Sequence, residues 1–192
     1  ALELDKMPES VAIIGGGVVG CEFAQAFVRM GSRVTVLELL PALLGAMDAD
    51  QSALIQRALK KDGVELHLSC HVDAVADAGT GVEVRFTVGG AQTSITAEKL
   101  LIATGRKPVT ERLDAQAAGV ALDVRGAIPV DAMCRTNVEG IYAIGDVTGG
   151  VQLAHVASHQ GMIAVNNLFG AREELDERIV PYCVYTSPEL AS

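Results

Sequence analysis

Three glycines, Gly15, Gly17 and Gly20, follow the apolar run Val11–Ile14 in the spacing Gly-x-Gly-x-x-Gly. Glycine answers a different physical demand at each position. The first permits a tight turn, the second lets bare backbone approach a diphosphate, and the third lets a helix pack closely on a strand. Gly16, Val18 and Val19 complete the turn and open a helix, whose unpaired N–H groups and partial positive charge suit an anion. Glu38 lies about 20 residues past the glycines, where a carboxylate accepts hydrogen bonds from the ribose hydroxyls of an adenine dinucleotide. The same acid repels a phosphate on that ribose. The pattern therefore predicts NAD rather than NADP, since the nearest base, Arg33, opens the stretch that Glu38 closes.

Two further carboxylates stand out. Glu22 falls two residues past Gly20, and its simplest role is a favourable charge in the first helical turn. Asp146 closes the stretch Gly140–Asp146 and precedes Gly149, Gly150 and a helical pattern. An acid at the carboxyl end of a buried strand faces the crevice where ligands bind in α/β sheets, and the alternative is an acid capping a helix from a loop. His155 and His159 stand i, i+4, but no further ligands accompany them, so no metal site is expected. Cys21, Cys70, Cys134 and Cys183 form no CxxC or CxxxxC pair and are expected to be reduced and buried, as in a cytoplasmic protein.

The elements that must hold these groups follow from periodicity and breakers. Val11–Ile14 reads as a buried parallel strand, Val18–Met30 as a helix stopped by Gly31, and Arg33–Glu38 as a second strand, which together make a βαβ unit. Asp48 or Asp50 caps a helix through Lys61 that Gly63 closes, and residues 64–68 form a strand. Strands at Val72–Ala76, Val82–Val88 and Thr93–Thr96, separated by glycine turns, predict an antiparallel meander. Leu100–Ala103 is another apolar strand. Residues 111–125 carry few periodic signals, Ile128–Val130 reads as extended, Gly140–Asp146 as a strand and Leu153–Phe169 as a helix stopped by Gly170. Residues 171–178 read as a linker or exposed helix, and a strand begins at Val180–Tyr185 without a partner in view. The fold class is thus α/β: a Rossmann-like parallel sheet with an inserted three-stranded meander, plus part of a second domain.

Bulk properties narrow the partners. The chain has 192 residues, is 49% hydrophobic and carries a formal net charge of −9. That size and composition support a packed core, and the negative field disfavours nucleic acid. No apolar run approaches the roughly 18 residues of a membrane span. The start carries no secretory pattern and no initiator Met, which points to a true start upstream.

Four stretches together resemble the class I pyridine nucleotide–disulfide oxidoreductases, most closely the dihydrolipoamide dehydrogenases. They are Val11–Glu22, Leu100–Pro108, Thr136–Asp146 and Leu153–Gly161, and Cys183–Ser192 is similar to the opening of that family's dimerisation domain. The resemblance implies an NAD domain over residues 1–120, the C-terminal part of an FAD domain over 121–178, and the start of an interface domain over 179–192. It implies that Gly15, Gly17 and Gly20 hold the NAD pyrophosphate and Glu38 the adenosine ribose. Glu22 then sits near the nicotinamide, Val72 lines the adenine pocket and Gly105 approaches the nicotinamide side. Asp146 binds the ribityl chain of FAD, and Gln152, Leu153, Ala154 and His155 run beneath the flavin; the family often has Met where this chain has Gln152. The family's redox-active CxxxxC, its first dinucleotide fingerprint and its His–Glu base are not matched among these residues. The resemblance therefore implies an internal piece of a homodimeric enzyme that passes electrons from dihydrolipoamide to NAD. This piece would itself be inactive, hold FAD loosely at most, and supply no catalytic residue. A mercuric or glutathione reductase-like enzyme is disfavoured because those commonly use NADP. A non-catalytic NAD-sensing module is disfavoured because it has no use for the flavin motif.

Overall fold

The computed structural model describes residues 3–192. The chain divides into two compact units: the residues through Gly105 together with Tyr182–Ser192, and Arg106–Pro181.

The first unit is built on β1 (Ser10–Ile14), α1 (Val18–Arg29), β2 (Arg33–Leu37), α2 (Ala49–Lys61), β3 (Glu65–His67) and β7 (Lys99–Ile102). The four strands form a parallel sheet in the order β3-β2-β1-β7. Both of its faces are covered, and the strands divide their side chains accordingly. Val11, Ile13, Val34 and Val36 pack against Cys21, Ala24 and Phe27 of α1 and Ile55 and Leu59 of α2. Ala12 and Leu37 point the other way, into a cluster with Val84, Phe86 and Ala97. That second layer is an antiparallel meander of β4 (Cys70–Asp77), β5 (Val82–Val88) and β6 (Ala91–Ala97), with a bulge between Val72 and Ala74. The parallel sheet with an inserted meander is the α/β architecture that the sequence predicts.

Two differences in this unit have local causes. The strand expected at Val180–Tyr185 shrinks to β8 (Cys183–Val184), and it does find a partner, β9 (Leu190–Ala191), in a hairpin. Val184 and Leu190 are buried with the helix-side core, so the hairpin is anchored by apolar burial rather than by extending the main sheet. Cys21, Cys70 and Cys134 are buried, but Cys183 is exposed on β8, so the expectation of four buried thiols fails there.

The second unit has one long helix, α3 (Ala154–Leu168), and otherwise short turns. Ala115, Val120, Ile128 and Ala143 form one small core, while Cys134, Ile163 and Ala164 form another. Gly140–Asp146 is not a strand. Tyr142 makes a single bridge to Arg135, Ile144 is extended, and Gly145–Thr148 closes into a 3-10 turn. An apolar alternating stretch becomes a strand only where a neighbour supplies a ladder, and among the described residues of this unit none does. Residues 171–178 are irregular until a 3-10 turn at Glu177–Ile179.

Candidate functional site

The four glycines at the end of β1 are not equivalent. Gly15 has φ of +108°, its N–H donates to the Leu37 carbonyl at 2.9 Å, and a Cβ there would overlap the Ala103 carbonyl oxygen. A Cβ on Gly20 would overlap the Gly15 carbonyl oxygen, and one on Gly16 would overlap the Leu43 side chain and stand 3.1 Å from Glu38. These three positions are glycine because the fold leaves no room. Gly17 differs. Its φ of −73° is ordinary for any residue, and a Cβ would meet nothing within 4 Å. It is the N-cap of α1, yet Ser or Asp, which would cap the helix better, is absent. No side chain caps that end, no acid lies in the first turn, and the first intrahelical bond runs from Cys21 N–H to the Gly17 carbonyl at 2.9 Å. Gly17 thus presents bare backbone to open space at the N-terminus of α1, where first-turn N–H groups lack intrahelical partners, which is the arrangement that binds a diphosphate.

Glu38 closes one side of this loop. It is 9% exposed, its Oε2 accepts from the Gly16 N–H, and its Oε1 accepts from Leu40 N–H at 2.7 Å. Its own backbone is tied as well, donating to His67 and accepting from Cys70 at 2.8 and 2.9 Å. A carboxylate held from both ends keeps lone pairs for hydroxyl donors without needing to reorganise. Gly105 follows β7 on the other side of β1, with φ of +105° and open space where a Cβ would lie. The sheet order therefore sets Glu38 and Gly105 on opposite flanks of the glycine loop. Val72 lies on β4 at the bulge, partly buried against the meander core.

Glu22 is not in the first turn of α1, contrary to the simplest sequence reading, because the helix begins at Val18 and has no acid there. Its Oε1 instead accepts from the Tyr185 N–H at 2.8 Å. One turn along the same helix, Gln25 is 4% exposed; it donates to the Ser187 carbonyl at 3.0 Å and accepts from the Ser187 N–H at 2.6 Å. Gln25 also donates to Asp62 at 2.9 Å, and this bond, aided by Arg29, holds the Asp62 carboxyl below its ordinary value against the opposing effect of burial. Cys21 is no nucleophile: burial, then the nearby Glu38 and Glu22 carboxylates, push its thiol up to about 12.

In the second unit, Asp146 sits in the 3-10 turn, exposed, and pairs with Arg106 at 3.1 Å. The turn is pinned by Gln160, a buried residue of α3 that accepts from the Gly145 N–H at 2.7 Å. Gln152 and Leu153 are half-buried where α3 begins, while Ala154 and His155 are exposed, with His155 Nε2 3.0 Å from the Pro181 carbonyl oxygen. No cluster of three metal-ligating side chains occurs among the described residues, and none of their helices is long and apolar enough to cross a membrane. Sequence reasoning missed Gln25, Gln160 and Arg106. The one available signal was polar: a glutamine on the apolar face of a helix must find partners, and both glutamines do.

Comparison with known proteins places this geometry. The family model described as pyridine nucleotide-disulphide oxidoreductase matches residues 1–161. A dihydrolipoyl dehydrogenase of Bacillus subtilis (strain 168) is 43% identical over 191 residues, covering all of this chain and 41% of that protein. A dihydrolipoyl dehydrogenase of Chlamydia trachomatis is 44% identical, again over the whole chain and 40% of the relative. The chain thus spans about two-fifths of the length of these curated relatives. Among solved structures, LpdA from Mycobacterium tuberculosis superposes with a TM-score of 0.92 at 33% identity, over 98% of this chain and 41% of that one. The HOCl-induced flavoprotein disulfide reductase RclA from Escherichia coli gives 0.88 at 36% identity, over 99% and 43%.

Proposed function

This chain belongs to the pyridine nucleotide-disulphide oxidoreductase family, and on that footing we propose that its first unit binds NAD and its second supplies part of a flavin site. The observation that carries the reading is Gly17: nothing in the fold requires a glycine there, so the missing side chain serves a ligand. The diphosphate lies against Gly15–Gly20, Glu38 holds the adenosine ribose, Val72 borders the adenine, and Glu22 and Gly105 flank the nicotinamide half. A carboxylate already fixed by two backbone N–H groups repels a ribose phosphate, so NAD is preferred over NADP.

In the second unit, Asp146 binds the ribityl chain of FAD, and Gln152, Leu153, Ala154 and His155 pass beneath the flavin. The exposure of Asp146, Ala154 and His155 suits one wall of a site whose opposite wall lies in other residues. Residues 1–120 are assigned to an NAD domain, 121–178 to part of an FAD domain and 179–192 to the start of an interface domain. The whole enzyme is a homodimeric dihydrolipoyl dehydrogenase of the cytoplasm that moves electrons from dihydrolipoamide through a redox disulfide and FAD to NAD. Both the identity to enzymes of that name and Glu38 support this choice over NADP-dependent disulfide reductases. These 192 residues hold no CxxxxC pair, so the chain alone binds the coenzyme without turning over lipoamide.

Calorimetry on the chain tests the reading. NADH should bind at least about tenfold more tightly than NADPH, and Glu38→Gln should narrow that gap. Absence of NADH binding, or equal affinity for the two, sinks it.

A further inference from the structure

The carboxylate of Glu22 is placed by a segment distant in sequence. Tyr185 N–H reaches its Oε1 at 2.8 Å, although 163 residues separate them. Tyr185 stands between two fixed points. On one side Val184 is fully buried in the core beneath α1 and paired with Leu190. On the other, Gln25 grips Ser187 through both its carbonyl oxygen and its amide nitrogen, in the two-point pattern of a neighbouring strand. Gln25 is itself held, since its amide nitrogen also reaches Asp62, which Arg29 engages at 2.9 Å. Glu22, Gln25 and Arg29 recur at i, i+3 and i+7 on one face of α1. That face has become a polar clamp rather than a solvated surface.

We infer that Gln25 is a positioning residue: by clamping Ser187 it holds the Tyr185 N–H on Glu22 and so fixes that carboxylate for the nicotinamide half of the coenzyme. The inference rests on the assignment of Glu22 to that half of the NAD site. With Oε1 tied to backbone, Oε2 is left to accept from the carboxamide of the nicotinamide. An untied carboxylate would swing through its rotamers and lose that alignment, at a cost in affinity confined to the nicotinamide. The adenosine half, held by Glu38 and the glycine loop, would not respond.

The test compares NADH with ADP-ribose, which lacks the nicotinamide, on the intact chain. Gln25→Met keeps the volume and removes the clamp. It should weaken NADH about fivefold, as Glu22→Gln does, and leave ADP-ribose unchanged. The double variant should bind NADH no more weakly than Glu22→Gln alone, because both act through one contact. Equal weakening of both ligands, or additive losses in the double variant, overturns the proposal; so does either single variant that leaves NADH affinity intact. Wild-type protein that binds neither ligand overturns the NAD assignment itself. If Gln25→Met does not fold, hydrogen exchange at the Tyr185 amide in wild type and Glu22→Ala decides: protection that persists without an acceptor at position 22 refutes the contact.

Discussion

Glu38 and Asp146 carry the same sequence signal, an apolar stretch ending in an acid, yet they occupy opposite extremes of organisation. Glu38 is buried at the end of a strand with a parallel neighbour on each side, and both its oxygens already accept from backbone N–H groups. Asp146 is exposed on a 3-10 turn, and its one side-chain partner among the described residues is Arg106, itself largely exposed. The surroundings differ in the same sense. The first unit closes two apolar layers around its sheet. In the second, Met162, Val165 and Phe169 recur along one exposed face of α3 and its end, at 60%, 51% and 89% exposure. A site that is preorganised binds with little ordering cost, whereas a site on an open turn depends on whatever else packs there. The contrast teaches that a motif marks where a ligand contacts the chain, while the enclosing layers decide whether the chain alone can hold it.

The sharpest way to break this contrast is inside the glycine loop. Gly20→Ala drives a methyl group into the Gly15 carbonyl oxygen and should destabilise the first unit by about 3 kcal/mol in urea unfolding. A neutral outcome would show that the loop is not tightly packed. Gly17→Asp should separate stability from binding. It supplies a better cap to α1, so stability should hold or rise by a few tenths of a kcal/mol. The same charge at the proposed diphosphate position should weaken NADH by about 100-fold. A variant that still binds NADH as wild type does would remove the argument from Gly17. The smallest effect belongs to the other unit. Asp146→Asn should change the stability of the second unit by less than about 0.5 kcal/mol, because its ion pair with Arg106 is solvent-exposed, and should leave NADH affinity unchanged. A large loss in thermal unfolding would mean that the turn is as organised as the Glu38 corner.

Much of the first unit was legible because its signals are local. Val11–Ile14 is apolar on both faces, its glycines sit where a tight turn and a close helix demand them, and the meander is punctuated by glycine pairs. The second unit was less legible for a physical reason. Gly140–Asp146 has the composition of a strand, but pairing is a property of neighbours, and only one bridge forms. The hairpin of Cys183–Val184 with Leu190–Ala191 was missed for the converse reason, since two short stretches became strands by burying Val184 and Leu190.

The sequence alone determined the class of the fold, the glycine loop and the acid that accompanies it, because backbone freedom, helix polarity and charge are written residue by residue. Only the tertiary structure decided that Gly17, unlike its neighbours, faces open space, that Glu38 is locked from both ends, and that Glu22 is tied to a hairpin 163 residues away. Those facts are contacts between distant parts of the chain. Their energies depend on which groups lose water together, and that is settled when the layers pack.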